Sequence, residues 1–222
     1  MLIVVLPTLQ AEAHLGRALA VLAKAGLVAD MVVADGGSTD ATREIAQNAG
    51  ARVIDGAGGR GPQLAAGAKV ASGNWLLFRH ADTVLQDGWA DSASRFMADP
   101  ANEFRAGVFR FALDDASNAA RRLERMVAWR TRVLGLPYGD QGLLISRAFY
   151  DTLGGFADIP IMEDVELVRR IGRARLVQLD ARALTSAQRY RRGYVWRSAR
   201  NLFCLALYFA GIAPKRIERI YR

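Results

Sequence analysis

Four short apolar runs fall within the first eighty residues, and the first three each lead through a polar or glycine-rich turn into a stretch of helical spacing. Leu2–Leu6 is a continuous β-branched and leucine run, the pattern of a strand buried on both faces. From Ala11 to Ala25, Leu15, Ala18, Leu19 and Leu22 recur at helical spacing, and Gly26 supplies a stop. Met31–Ala34 reads as a second strand, followed by a helix capped by Ser38 or Thr39 and running to Asn48 before Gly50. Arg52–Ile54 is a short third strand, a helix follows from about Gln63 to Ala71, and Trp75–Arg79 is the fourth strand. Strands that alternate with helices must run parallel, with the helices covering the sheet.

The second half is less regular. Gly107–Leu113 and Gly142–Ile145 read as strands, and Ala181–Leu184 as a third. Ser117–Leu134, Arg147–Leu153, Glu163–Ile171 and Tyr194–Gly211 have helical spacing, the last ending before Pro214. No repeat, low-complexity run or linker interrupts the 222 residues, so they read as one domain, long enough to bury a sizeable core. With 51% apolar and 23% charged residues, a mainly disordered state is excluded. A single cysteine, Cys204, excludes an internal disulfide and fits a reducing compartment.

In an open parallel sheet, ligands sit beyond the carboxyl ends of the strands. Those ends here read Pro7-Thr8-Leu9-Gln10-Ala11-Glu12, Asp35-Gly36-Gly37-Ser38-Thr39-Asp40, Asp55 with a glycine-rich turn to Gly61, and His80-Ala81-Asp82-Thr83. Three of the four carry an aspartate at or near the strand end, which points to a shared ligand site. Gly56, Gly58 and Gly61 have G-x-G-x-x-G spacing but follow the third strand, whereas the dinucleotide fingerprint belongs to the first turn. The glycines either let the backbone approach a diphosphate, with Arg60 supplying charge, or form a plain flexible turn. Asp82 is the candidate ligand for a hard cation such as Mg²⁺ or Mn²⁺, which favours carboxylate oxygen and is commonly shared with substrate phosphates. His80 is a ligand, a phosphate donor or a packed ring. Glu163 and Asp164 open a helix, where acids complement the macrodipole. Asp164 also adjoins apolar Ile159, Ile161, Met162 and Val165, a setting in which a carboxylate can be tuned as a base.

Taken in order, Pro7-Thr8, Asp35 to Asp40, the Arg60-Gly61 turn, His80-Ala81-Asp82-Thr83 and Glu163-Asp164 resemble the family 2 glycosyltransferases. His80-Ala81-Asp82-Thr83, Tyr138-Gly139-Asp140-Gln141-Gly142 and Met162 to Glu166 look most like a bacterial subgroup labelled arsenosugar-biosynthesis-type. The resemblance implies an α/β GT-A fold with a mostly parallel sheet flanked by helices and a C-terminal helix. It implies a nucleotide-binding half over about 1–113, an acceptor half over about 114–188 and a basic segment over 189–222. The activity implied is inverting transfer from a nucleoside-diphosphate sugar, UDP- or GDP-linked, to an acceptor hydroxyl that the sequence does not identify. Pro7, Thr8, Asp35, Gly36, Arg60, Gly61, His80, Ala81 and Asp82 would form the donor site. Within it Asp35 would meet the base or ribose, Arg60 the diphosphate, and Asp82 a divalent metal. Asp164 would be the catalytic base, with Glu163 its neighbour in the motif. The sequence departs from the family where His80 replaces the first acid of the D-x-D motif and where Gln10-Ala11 replaces Asn-Glu. Gln188 to Arg192 only echo the Q-x-x-R-W signature of processive synthases. A nucleotidyltransferase is the alternative enzyme, but its first turn carries glycines and a basic residue that are absent here. A noncatalytic phosphate- or membrane-binding protein is the alternative of another class.

The net charge of +8 is confined to the second half, and 189–222 holds nine basic residues against one acid, Glu218. Aromatic platforms are sparse among the earlier basic residues, which argues against a nucleic-acid partner. The apolar stretch Leu202–Ala213 lies between Arg189, Arg191, Arg192, Arg197 and Arg200 on one side and Lys215, Arg216, Arg219 and Arg222 on the other. Such a segment fits an anionic membrane surface, or a helix packed on the domain or on a second subunit. It is too short to span a bilayer, and the first residues lack a basic leader, so a cytoplasmic place is expected, with membrane association on the cytoplasmic face as an option.

Overall fold

The computed structural model describes residues 1–56, 58–190 and 193–221. Ala57 of the glycine-rich turn and Arg191, Arg192 and Arg222 of the basic segment lie outside the described residues, as does the side chain of Arg189. The first half comprises β1 (Leu2–Thr8), α1 (Glu12–Lys24), β2 (Val28–Asp35), α2 (Thr42–Asn48), β3 (Arg52–Asp55), α3 (Arg60–Val70) and β4 (Trp75–Phe78). These strands pair in parallel in the order β3-β2-β1-β4, as the alternation requires. The second half adds β5 (Thr83–Leu85), α4 (Trp89–Ala98), β6 (Ala106–Leu113), α5 (Asn118–Trp129), β7 (Leu143–Ser146), α6 (Arg147–Thr152), α7 (Glu163–Ile171), β8 (Leu176–Thr185), α8 (Tyr194–Phe209) and α9 (Pro214–Tyr221).

The sheet continues β4-β7-β6-β8-β5. β7 runs antiparallel to β4 and β6, β8 parallel to β6, and β5 antiparallel to β8. Because β7 is reversed, the residues that precede it arrive at the edge where β1 to β4 end. Every residue of β1 is buried, which is why its sequence shows no alternation. Leu2, Val4 and Leu6 pack with Leu15, Leu19 and Leu22 of α1 and with Trp89 and Phe96 of α4. Ile3 and Val5 pack on the other face with Leu64 and Ala68 of α3 and with Phe149 and Tyr150 of α6.

Several boundaries differ from expectation for local reasons. Ser38 and Thr39 do not cap α2, because their hydroxyls are bonded to Asp35 and Gln10 instead. α3 begins at Arg60 rather than near Gln63, directly after Gly59 at φ +107°. α5 stops at Trp129, and Arg130–Leu134 form a wider turn that Gly135 ends at φ +63°. β5 and α4 were not anticipated. The last helix is two: Gly211 at φ +83° breaks it and Pro214 starts α9. A third core cluster under α8 and α9, made of Leu136, Ile161, Met162, Val165, Cys204, Leu205 and Ile217, fixes both helices over the start of α7.

Candidate active site

The loops after β1 and β2 are sewn together by polar side chains. Thr8 Oγ1 donates to Asp35 Oδ1 at 2.9 Å, and Ser38 donates to the same carboxylate through its hydroxyl at 2.6 Å and its backbone N–H at 2.8 Å. Gly37 N–H adds a further bond at 3.2 Å. Gln10, in the left-handed region at φ +50°, accepts from Thr39 N–H at 2.7 Å, and Glu12 accepts from Ala41 N–H at 3.1 Å. Pro7 lies past the last β4 pairing, so its missing N–H costs the sheet nothing. Burial pushes the Asp35 carboxyl up, but the bonds from Ser38, Thr8 and Gly37 outweigh it and hold it below the usual range. A carboxyl depressed in the fold stabilises above its unfolded pKa, and that stability is lost as pH falls through the folded value. Asp35→Asn is therefore expected to cost ~1–3 kcal/mol at neutral pH. It should also flatten the acid limb of stability below about pH 4, where the unfolded carboxyl titrates. Chemical denaturation across pH checks both, and an unchanged acid limb would show that Asp35 is not held this way.

The third wall is the start of α3. Gly61 is packed against the 157–160 loop: a Cβ there would lie 2.3 Å from the Ile159 carbonyl oxygen and 2.5 Å from that of Ala157. At Gly59 a Cβ would lie 2.5 Å from Pro160. The close approach that these glycines permit is therefore to the chain's own backbone. Arg60, on the same turn, pairs with Glu163: its Nε lies 2.9 Å from Oε1 as an ion pair, and Nη2 donates one hydrogen bond to Oε2 at 3.4 Å. The Glu163 side chain is fully buried. Burial pushes its carboxyl up to about 7, with Asp164 adding to the shift and Arg60 opposing it. Burial alone would lower Arg60, yet Glu163 and Asp164 raise it. Arg60 therefore stays charged, and its guanidinium 2.9 Å away favours the ionised form of Glu163 against the burial that favours the neutral one. One turn on, Gln63 donates to the carbonyls of Thr8 at 2.7 Å and Ala34 at 3.0 Å, tying α3 to the ends of β1 and β2.

Asp164 points elsewhere. Met162 takes the left-handed conformation at φ +67° where the chain turns into α7, and the helix itself sets its first two acids about 100° apart. Asp164 Oδ2 accepts from Gly139 N–H at 2.9 Å, and Oδ1 from Val165 N–H at 2.8 Å. His80 lies against Gly139, where a Cβ would be 2.4 Å from Nε2. A cavity is lined by Arg60, His80, Asp140, Asp164, Arg197 and Tyr221, among others, and so joins α3, the β4 end, the turn before β7, α7 and both C-terminal helices. Asp82, buried beside β5, lines a separate hollow with His14, Arg17 and Asp114. Ala81 is buried in the core. The structure thus brings Arg60, His80, Glu163 and Asp164 together, while Asp82 lines a separate hollow and the Asp35 carboxylate is turned into its own loop.

Residues that the sequence reading did not assign to the site complete it. Tyr138 and Asp140 reach it because β7 is reversed, and Gln141 holds their turn by accepting from Thr131 at 2.8 Å and donating to the Phe109 carbonyl at 3.1 Å. Arg130 stacks on the Tyr138 ring at 3.4 Å. Arg197, Asn201 and Tyr221 come from the basic segment. Arg79 is 1% exposed, and its guanidinium has no hydrogen-bond partner among the described residues. Burial pulls it down to about 10, and Asp82 pushes the other way. Among these, the Tyr138 to Gly142 motif and the basic charge at Arg197 carried a sequence signal, though neither pointed to the cavity.

The sequence profile of glycosyl transferase family 2 matches residues 3–150. No curated protein matches the chain. Among solved structures, glucosyl-3-phosphoglycerate synthase from Mycobacterium tuberculosis with phosphoglyceric acid is 21% identical, with a TM-score of 0.55 over 84% of this chain and 70% of that one. The mannosyltransferase PcManGT from Pyrobaculum calidifontis with GDP-Man and Mn²⁺ is 18% identical, with a TM-score of 0.67 over 99% and 67%. S. aureus TarS is 17% identical, with a TM-score of 0.61 over 99% of this chain and 42% of TarS. At these identities the structures speak for the fold, a curled α/β sheet of GT-A type, and the profile speaks for the family. The chain belongs to glycosyl transferase family 2 and is a glycosyltransferase.

Proposed function

We propose that the chain moves a sugar, with inversion, from a UDP- or GDP-linked donor to an acceptor hydroxyl. The observation that carries this is the division of labour at the start of α7: Glu163 is withdrawn onto Arg60, while Asp164 borders the cavity. Inversion is a single displacement and needs one base. Asp164 takes the acceptor proton, the acceptor oxygen bonds to the anomeric carbon, and the bond to the diphosphate breaks on the opposite face. The diphosphate leaves with the electron pair, and Arg60 carries part of its charge. Asp35 acts through the loop it holds, since it is 1% exposed and its carboxylate is bonded to that loop and to Thr8, whereas Asp164 borders the cavity.

Asp82, with His80 two residues before it, would hold Mg²⁺ or Mn²⁺. No group of three or more His, Cys, Asp or Glu able to hold a metal occurs among the described residues. A hard cation that takes most of its ligands from the diphosphate and water fits so sparse a protein donor set. Bound there, it would neutralise charge on the leaving diphosphate. Support comes from relatives solved with such groups, the mycobacterial synthase with Mn²⁺ and UDP and PcManGT with GDP-Man and Mn²⁺. The arsenosugar-type subgroup and a cytoplasmic place remain part of this proposal, resting on the motifs and the single cysteine.

Thermal shift with UDP and GDP, with and without Mn²⁺, tests the reading. A nucleotide at 100 times its Kd should stabilise by about 2.7 kcal/mol. At roughly 2–4 °C per kcal/mol for a chain of this size, Tm should rise by about 5–11 °C. Asp82→Ala should remove the Mn²⁺-dependent part. No shift with any nucleoside diphosphate would sink the donor assignment.

A further inference from the structure

α8 is apolar on both faces although it lies on the surface. Cys204 and Leu205 are buried against Leu136, Met162 and Ile217. The residues that face solvent are Val195, Trp196, Ala199, Leu202, Phe203, Ala206, Phe209 and Ala210. Their spacing is that of one helical stripe, and it contains no charged or polar side chain. Val195 is 83% exposed, Trp196 70%, Leu202 66%, Phe203 54% and Phe209 49%. A surface helix ordinarily turns charge outward, so a continuous apolar stripe marks a contact surface.

Its surroundings are basic. Lys215, Arg216 and Arg219 are exposed on α9, and Arg197 and Arg200 flank the stripe. α5 lies beside α8: Tyr194 at the start of α8 bonds Asp115 just ahead of α5, and Leu136 beyond α5 packs with Cys204 and Leu205. α5 and the turn after it expose Arg122, Arg125 and Arg132 together with Met126, Trp129, Val133 and Leu134.

We propose that the outer face of α8 seats the protein on an anionic lipid bilayer. Apolar side chains entering the interface within a ring of arginine and lysine are the pattern of an in-plane membrane helix. A second copy of the chain would set this arginine-rich surface against itself across a two-fold axis, where like charges repel. Spanning is ruled out for α8, because one face is committed to the protein core and no helix among the described residues is long and apolar enough to cross a membrane. Arg197 and Asn201 of the same helix border the catalytic cavity, so the cavity would lie about one helix diameter, roughly 10–12 Å, from the lipid.

The test is co-sedimentation of the full chain with phosphatidylcholine vesicles and with vesicles containing one-third phosphatidylglycerol, alongside Trp196→Glu/Phe203→Glu. Wild type should partition at least tenfold more strongly into the anionic vesicles and lose that excess in 0.5 M NaCl, while the double variant should lose tenfold or more. Both altered side chains are exposed, so the variant should keep the wild-type Tm and circular dichroism. If the variant melts early, Arg216→Glu/Arg219→Glu replaces it, with the same loss expected on anionic vesicles. The proposal is overturned by equal binding to both vesicle types, by no binding, or by folded variants that bind as wild type does. A wild-type dimer in light scattering that Trp196→Glu/Phe203→Glu makes monomeric overturns it in favour of a second copy.

Discussion

Asp164→Asn is expected to lower sugar transfer by roughly 10²–10⁴-fold, the span that general-base catalysis contributes. The amide fills the same space, and its one oxygen can still accept from Gly139 N–H, now 2.9 Å from Oδ2, while the local bond from Val165 N–H to Oδ1 is given up, so the turn before β7 should stay in place. What it cannot do is take a proton. The loss should therefore fall on kcat, with the Kd for the nucleotide unchanged and the Tm close to wild type. Glu163→Gln should behave differently. It removes the charge of the buried partner 2.9 Å from the half-buried Arg60, so stability and nucleotide affinity should fall along with turnover. The two variants are thus separable by calorimetry as well as by rate. If Asp164→Asn keeps full activity and only Glu163→Gln loses it, the roles are reversed. If both turn over normally, neither is the base.

Gly61→Ala should be strongly destabilising. The added carbon would meet two backbone carbonyl oxygens, of Ile159 at 2.3 Å and Ala157 at 2.5 Å, and neither can move aside as a side-chain tip would. Overpacking of this kind costs about 1–3 kcal/mol, and rigid backbone partners place it at the upper end. In a chain of this length, ~3 kcal/mol lowers Tm by roughly 6–12 °C. The segment that must yield, residues 157–160, leads directly into Glu163, so the Arg60 pair should loosen and nucleotide binding should weaken with it. Gly50→Ala serves as a reference: its φ of +77° strains an alanine, yet nothing lies within 4 Å of the new carbon, so its cost should be smaller. Equal melting temperatures for the two variants would show that the 157–160 loop is not packed as described.

The parallel half of the fold was legible because β1 to β4 are apolar runs bracketed by helical spacing, and both signals depend on neighbouring residues. β5 was not, since three residues beside Asp82 carry no pattern of their own and become a strand only by pairing with Ala183 to Thr185. α4 had a readable signal in Trp89, Ala93 and Phe96, but the polar residues between them obscured it. At the site, the start of α7 was read correctly at Glu163 because adjacent acids follow an apolar turn. The ion pair of Arg60 with Glu163 could not be read, for it joins residues 103 apart and leaves no trace in local spacing. The same holds for the contribution of α8 and α9 to the cavity. Asp35 could be located from the sequence, but not the fact that its carboxylate is consumed by its own loop.

The reversal of β7 has a bearing on how the chain is made. β4, of sequence Trp-Leu-Leu-Phe, is covered on one side by β1 as soon as it emerges, but its other edge waits for Leu143 to Ser146. At ordinary synthesis rates of about 5–20 residues per second, that apolar edge stands open for roughly 3–13 seconds on the ribosome. An uncovered edge of this composition is a template for pairing with another chain. The segment up to β6 is therefore not a free-standing module. It depends for its solubility on residues born later, and nascent chains of this protein should be clients of the chaperones that meet ribosomes.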